Sequence, residues 1–484
     1  MLFTIDRNLQ NPVQNQIREQ IIAGILNGQL TPGAKMPSSR KLANDLGVSR
    51  TTVMIVYDKL VEGDFLVSIP RSGYRVGDIA AGSAPTPSVA GNESAVASPV
   101  VWDRLIDTRL ASQRNIVKPA DWQDYPYPFV YGQPDASLFP LPAWRECSRQ
   151  AMSRHAMRAW ANDAVTEDDP ELVLQIRTKL LPRRGIYASD AEILITMGAQ
   201  NGLYLMAAAL MRSGVHVGIE DPGYPDARNI FEHCGATLHP LPVDESGVKV
   251  TEIPYQAQIL FVTPSHQYPT TVTLNPERRK ALLAAASRYD QLIIEDDFES
   301  DTNYRGQPVP ALKSEDREGR VLYAGSLSKS MFPGLRIGYI VAPAPLIREM
   351  RALRRLILRH APSNNQRTTA LFIAQGYHLA YIAKLHKAYE ERWRIMAAGL
   401  ERYLPGMATA PSFGGTSFWV KGPKGTSCET LAARALEEGI VLEPGAVHFM
   451  EPERGERYFR LGFSSIATER IDDGLKRLST LLTD

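Results

Sequence analysis

The 484-residue chain has only three cysteines, Cys147, Cys234 and Cys428, far apart and without a CxxC pair. A disulfide framework or a thiolate zinc site needs paired or closely spaced cysteines, so neither is expected, and no metal is assigned. Long apolar runs are also missing. The longest, Leu203 to Met211, falls well short of the roughly 20 residues that cross a bilayer as a helix. Charge of one sign is not in excess: 54 Lys and Arg face 53 Asp and Glu, a formal net charge of +1. Such a balance excludes no polyanionic partner, because a basic face on a small domain is diluted by a large neutral one. The opening residues, MLFTIDRNLQNP, lack the basic-then-apolar order of a secretion leader. These absences predict a soluble cytoplasmic protein without a membrane partner. What is present is 44% hydrophobic and 22% charged residues, enough for a sizeable core in a chain too long for one ordinary domain.

The chain divides by composition. Residues 1–78 are dense in helix and turn signals, and 79–101 are mostly Ala, Ser, Pro, Gly and Val, which build no core and read as a flexible linker. Globular text resumes at 102 and runs to 484. There, short apolar runs at Glu192–Thr196, Val215–Ile219, Gln258–Val262, Gln291–Glu295, Val321–Tyr323 and Ile337–Val341 alternate with helical stretches. Strands separated by helices imply a parallel sheet covered on both faces.

In the first segment, Val13, Ile17, Ile21, Ile22, Ile25 and Leu26 mark one face of a helix from Pro12 to Leu30, stopped by Pro32-Gly33. Ser38 or Ser39 caps a second helix that buries Leu42, Ala43 and Leu46, and Gly47 ends it. Ser49 caps a third, running through Val53, Val56, Tyr57 and Leu60. Helix, glycine turn and capped helix make a helix-turn-helix, whose second helix enters the DNA major groove. Phe65–Ile69 and Tyr74–Val76, around Pro70-Arg71-Ser72-Gly73, would form a wing. The groups expected to face DNA are Ser38, Arg40, Ser49, Arg50, Thr51 and Thr52, with Arg71 and Gly73 on the wing, since arginines and hydroxyls at helix starts suit phosphates and base edges. The bland alternative is a small helical dimerisation module. Nine Lys and Arg against seven Asp and Glu in this segment decide little; the grouping of Lys35, Arg40, Lys41 and Arg50 says more.

In the second segment, Ser326-Leu327-Ser328-Lys329 follows a strand, and a lysine beside a phosphate-binding loop can condense with an aldehyde cofactor. By itself an SxSK motif is weak, since surface lysines are common. Glu295-Asp296-Asp297 end another strand, where open α/β sheets bind ligands. A carboxylate there can pair with a protonated pyridine nitrogen, although a solvated strand end or a metal site reads equally well from those residues alone. Gly198-Ala199-Gln200 opens a helix whose free N–H groups can hold an anion. Ser326 offers a hydroxyl and Arg336 a bidentate fork, while Tyr224 could stack on a ring.

GQLTPGAKMPSSRKLANDLGVSRTTVMIVYDKL resembles the GntR family of winged helix-turn-helix regulators over residues 10–76. EDPGYPDARNIFEHCGA, VTPSHQYPTTVTL, IIEDDFESDTNYRGQPVPAL and LYAGSLSKSMFPGLRIGY resemble fold-type I aminotransferases over roughly 125–482. The combination is similar to the MocR/GabR regulators. The resemblance implies an α+β winged helix-turn-helix head joined to an α/β fold-type I aminotransferase-like domain. It implies pyridoxal 5'-phosphate (PLP) as cofactor, Lys329 as its Schiff-base lysine, Asp296 at the pyridinium, and Tyr224 on the ring. Ser326 and Arg336 look like phosphate ligands, Ala199, Gln200 and Ser328 are also expected at the cofactor, and Arg460 would hold the carboxylate of an effector, though a plain salt-bridged strand arginine remains open. A double-stranded DNA operator, an amino-compound effector or PLP itself, and a head-to-tail homodimer are the implied partners. The implied function is transcription regulation, the alternative an aminotransferase with an accessory head. The sequence departs from the family at Phe298, where a tyrosine is usual, at Thr271, where a glycine is usual, and in Glu167–Glu171, part of the expected site entrance. It departs again in Gly414–Trp419, expected to help shape the effector pocket.

Overall fold

The computed structural model describes residues 3–7, 9, 11–78, 102–106, 110–306, 309–409 and 414–483. Two compact units result, Met1–Asp107 and Thr108–Asp484. The linker expected at 79–101 lies outside the described residues.

The first unit contains α1 (Val13–Leu26), α2 (Ser39–Leu46), α3 (Arg50–Glu62), β1 (Leu66–Ile69) and β2 (Gly73–Val76). Both predicted serine caps form: Ser38 Oγ accepts from Lys41 N at 3.2 Å and Ser49 Oγ from Thr52 N at 3.0 Å. Gly47 takes the left-handed conformation, φ 64°, that turns the chain between α2 and α3. Ile17, Ile21, Ile25, Leu42, Val53, Val56, Tyr57, Leu60, Leu66 and Val76 close into one core. The Tyr57 hydroxyl donates to Pro37 O at 2.8 Å. The wing pairs antiparallel, Leu66 opposite Val76 and Ile69 opposite Gly73.

One expectation fails here. α1 stops at Leu26 rather than running to Leu30, and Leu26 is 57% exposed. Gly28 turns left-handed at φ 72°, Leu30 N donates back to Gly24 O at 2.8 Å, and the Leu30 side chain folds onto Gly24. The glycine, not Pro32-Gly33, ends the helix.

In the second unit an eight-stranded sheet is built from β3 (Ile193–Thr196), β4 (His216–Asp221), β5 (Thr237–Asp244), β6 (Gly247–Val248), β7 (Ile259–Val262), β8 (Leu292–Asp297), β9 (Val321–Ser326) and β10 (Gly338–Val341). Its order is β3-β10-β9-β8-β7-β4-β5-β6. Both faces are covered, as the strand sequences require. Leu260, Ile293 and Val321 pack with Leu282 and Ala286 of α6 (Pro276–Arg288). Their chain neighbours Phe261, Ile294 and Leu322 pack on the other side with Leu203 and Met206 of α4 (Gly198–Leu210) and Phe231 of α5 (Pro225–His233). The sheet is not all parallel as expected: β10 runs antiparallel to both β9 and β3, and the short edge strand β6 antiparallel to β5. A parallel return needs a crossover of a dozen or more residues, and residues 327–337 hold only a loop with one short turn of helix, Pro333–Leu335.

After the long helices α7 (Ala344–Leu358) and α8 (Tyr377–Tyr403), the chain forms a four-stranded antiparallel sheet of β11 (Ala408–Thr409), β12 (Ser417–Lys421), β13 (Glu443–Pro444) and β14 (Tyr458–Gly462), in the order β11-β12-β14-β13. Among the described residues no helix is long and apolar enough to cross a membrane.

Candidate functional site

A cavity of about 270 Å³ lies at the carboxyl ends of the central strands. Lys329, Asp296, Tyr224, Ala199, Gln200, Ser326, Ser328, Arg336 and Arg460 all line it. Residues spread over more than 260 positions of sequence thus converge on one space, as an open α/β sheet allows.

Strand alternation sorts the three carboxylates at the end of β8. Glu295 points to one face and accepts from Leu312 N and Lys313 N at 2.7 and 2.8 Å. Asp297, on the same face, accepts from Arg184 Nε at 2.7 Å and from the Tyr323 hydroxyl at 2.8 Å. Asp296 points to the cavity. It is 3% exposed, and its Oδ1 has no hydrogen-bond partner among the described residues. Burial, followed by the neighbouring Asp297 charge, pushes its carboxyl up to about 7. An orphaned buried carboxylate is unfavourable unless a donor reaches it, and a cationic ring N–H is such a donor. Glu295 and Asp297 thus face away from the cavity, engaged by backbone N–H groups and, through Asp297 Oδ2, by Arg184 and Tyr323, and among the described residues no group of three His, Cys, Asp or Glu is placed to hold a metal ion.

At the start of α4, Ala199 and Gln200 occupy the first turn, where backbone N–H groups lack helical partners. Gly198 stands at φ 78°, and a side chain there would meet the Arg336 guanidinium at 3.1 Å. Gly338 is equally constrained, since a Cβ would lie 2.7 Å from the Gly198 backbone. Arg336 Nη2 is held by Met197 O at 2.9 Å, and Ser326 Oγ accepts from Ser328 N at 3.1 Å. Helix-start N–H groups, a guanidinium and two serine hydroxyls, all able to donate to an anion, thus line one cradle in the cavity wall.

Lys329 reaches between the cradle and a wall of aromatic rings. Its Nζ is 4.6 Å from the centroid of Tyr131, and a Cβ on Gly132 would collide with it at 2.2 Å. Burial drives the amine down to about 8, against the opposing pull of Glu299. Arg460, 1% exposed on β14, is sandwiched, its Cζ 3.6 Å from the Tyr131 centroid and 4.4 Å from that of Tyr268. Its Nη2 donates to the Tyr268 hydroxyl at 2.7 Å and forms an ion pair with Glu443. Arg460 is therefore both a cavity residue and a salt-bridged strand arginine.

The departures from the family resolve individually. Phe298 lines the cavity, so no hydroxyl stands at that position. Asp168 is buried between Arg351 and Arg354, at 2.7 and 2.6 Å, and Asp169 caps the helix Pro170–Gln175; this segment is structural and lines no part of the cavity. Gly414–Trp419 is also off the cavity wall: Ser417–Trp419 belong to β12, and Thr416 bonds Glu299. Thr271 sits at φ 63°, a left-handed conformation that a β-branched residue adopts only at a cost of about 1–2 kcal/mol. Thr271→Gly is expected to raise unfolding stability by about 1 kcal/mol, read from urea denaturation of the full chain; an unchanged or lower midpoint would refute the strain.

Sequence reading missed Tyr131, Tyr268 and Glu443. Glu443 had one visible signal, a lone charge in the apolar run Gly439-Ile440-Val441-Leu442-Glu443-Pro444.

On the first unit, Ser38, Arg40, Ser49, Arg50, Thr51, Arg71 and Gly73 are exposed and Thr52 is half-buried. Ser38 and Ser49 are committed to their caps, and the Ser49 and Thr52 hydroxyls bond each other at 2.8 Å. These groups shape the helix starts and leave Arg40, Arg50, Thr51 and Arg71 facing outward. One turn further along α3, Met54 and Ile55 are also exposed, adding apolar surface suited to thymine methyl groups.

Comparison with known proteins agrees with both halves. Residues 13–76 match the bacterial regulatory proteins of the gntR family, and residues 131–478 match aminotransferase class I and II. The chain is 42% identical to the HTH-type transcriptional regulator TauR of Rhodobacter capsulatus, over 98% of this chain and 97% of that one. It is 30% identical to the probable rhizopine catabolism regulatory protein MocR of Rhizobium meliloti, over 99% and 95%. Among solved structures, the kynurenine aminotransferase of Pyrococcus horikoshii matches with a TM-score of 0.71 and 27% identity, over 79% of this chain and 98% of that one. A DNA-reading helix-turn-helix and an aminotransferase-type cavity thus occur in one chain that aligns end to end with regulators of the same build, and the protein belongs to the MocR/GabR family of GntR-type transcription regulators.

Proposed function

We propose that the cavity of the large unit binds PLP and then an amino compound, and that this occupancy controls how the head engages its DNA operator. The observation that carries the reading is the buried, unpartnered Oδ1 of Asp296, in the same cavity as the anion cradle of α4, Ser326, Ser328 and Arg336. The solved kynurenine aminotransferase was crystallised with PMP, which supports the same class of cofactor. When bound, PLP supplies an aldehyde that condenses with amines and a ring that withdraws electrons.

This chain's own residues do the rest. The cradle would hold the phosphate, Asp296 would hold a proton on the ring nitrogen, and Tyr224 would give the ring an aromatic wall. Lys329, its amine pushed down to about 8 by burial, would be the nucleophile toward the aldehyde. Arg460 faces the outer part of an incoming amino compound. Such a ligand can act on DNA binding only through different affinities for two arrangements of the protein. Two copies of the chain would present two recognition helices to a two-fold operator.

The experiment loads the full chain with PLP, titrates a panel of amino compounds while following the visible band, and measures operator affinity at each end point. A compound that shifts the band without oxo-acid accumulation and changes operator affinity about fivefold or more supports the sensor. Catalytic oxo-acid formation with unchanged operator affinity would assign the cavity to an aminotransferase carrying an accessory head.

A further inference from the structure

Arg460 offers less to a ligand than its position promises. A guanidinium binds a carboxylate best through two parallel N–H donors, either Nε with Nη2 or Nη1 with Nη2. Nη2 belongs to both forks. Here it is committed twice, to the Tyr268 hydroxyl at 2.7 Å and to Glu443 Oε1. Nε is buried without a partner among the described residues, so it cannot complete a fork alone. Arg460 cannot swing to a new orientation either, because the rings of Tyr131 and Tyr268 grip its guanidinium.

Glu443 is the movable member. Its side chain is 12% exposed and lines the cavity, whereas Arg460 is 1% exposed. The ladder places Glu443 directly opposite Arg460 on β13 and β14. A second donor, His448 Nε2, holds the same Oε1 at 2.9 Å. Burial by itself would push the Glu443 carboxyl up, but Arg460 and His448 outweigh it and keep it near 2, so it stays ionised.

We infer that Glu443 is a built-in competitor for the acid group of the effector: it holds Nη2, the donor that both Arg460 forks share, until a ligand carboxylate displaces it, and so sets how strongly the cavity prefers acid-bearing amines over simple amines. The inference rests on the proposed amino-compound reading of the cavity. It follows that the resting cavity presents Arg460 and Glu443 as a neutral pair, and that an amino acid gains less from Arg460 than an uncapped arginine would give.

The test compares two probes of equal length, 3-aminopropanoate and propylamine, by calorimetry on the PLP-loaded full chain. The wild type is expected to favour the amino acid by less than about tenfold. Glu443→Gln keeps the shape but removes the competing charge, and is expected to raise the ratio of the two affinities at least tenfold toward the amino acid. His448→Gln loosens the second anchor of Glu443 and is expected to move the ratio the same way by less. It also stands in should Glu443→Gln fail to fold, as judged by its melting curve. A ratio that stays within threefold of wild type, or falls, in the folded variants overturns the inference while leaving the cavity an amine site. If neither probe binds the wild type or the variants, the amino-compound reading itself falls, and the inference with it.

Discussion

Lys329→Ala is expected to lower affinity for PLP about a hundredfold or more and to abolish the visible band of the lysine-bound cofactor. The lost covalent anchor is worth more than the roughly 3 kcal/mol that a hundredfold represents. What remains is the cradle of Arg336, Ser326, Ser328 and the start of α4, together with Asp296, so weak, reversible binding of the phosphate should persist. The fold should survive, because the Lys329 amine lies over Gly132 and the Tyr131 ring and removing it opens space rather than breaking a buried ion pair.

The wild-type amine supplies a second, sharper reading. The nucleophile is the neutral amine, and its share grows as pH rises. With the group near 8, the rate of PLP capture by cofactor-free protein should climb about tenfold per pH unit below that value and level off above it. An unperturbed lysine, near 10.4, would keep climbing throughout. Stopped-flow absorbance between pH 6.5 and 9.5 separates the two. A rate still rising tenfold from 8.5 to 9.5 would show that the cavity does not depress Lys329.

Much of this site was legible because it is local in sequence. Ser38, Gly47 and Ser49 mark helix ends through their own backbone neighbours, and the structure places caps and turn at those residues. The EDD run could be read only as far as a cluster of carboxylates. Choosing Asp296 from the residues alone needed the face of β8, which depends on Arg184, Tyr323 and Lys313 arriving from elsewhere. Glu443 showed only as a lone charge in an apolar run, and its role was hidden for the same reason, since it comes from a ladder that sets Glu443 opposite Arg460. The overlong α1 shows the converse failure. The expected span ran past Gly28 to Leu30, but the left-handed Gly28 turned the chain and brought Leu30 back onto Gly24. Periodicity describes what a helix would bury if it continued and does not say where it stops.

Arg50→Ala is expected to weaken operator binding about 10- to 100-fold, the loss of one good base-edge contact at 1–3 kcal/mol. Arg50 opens α3, the helix that the helix-turn-helix geometry presents to the major groove. In the free protein its described bond is a single long one, Nε to Ser39 Oγ at 3.4 Å on the exposed surface, so the substitution should leave the melting temperature of the head within error. Salt dependence then decides what Arg50 touches. If it neutralises a phosphate, the variant loses affinity about equally for all DNA sequences, and the slope of log affinity against log salt shrinks by about one. If it reads a base edge, the slope changes little and the loss concentrates on the operator, eroding the margin over non-specific DNA. Unchanged affinity for both kinds of DNA would mean that α3 does not dock through its first turn. The outward face around Met54 and Ile55 would then be the first surface to substitute.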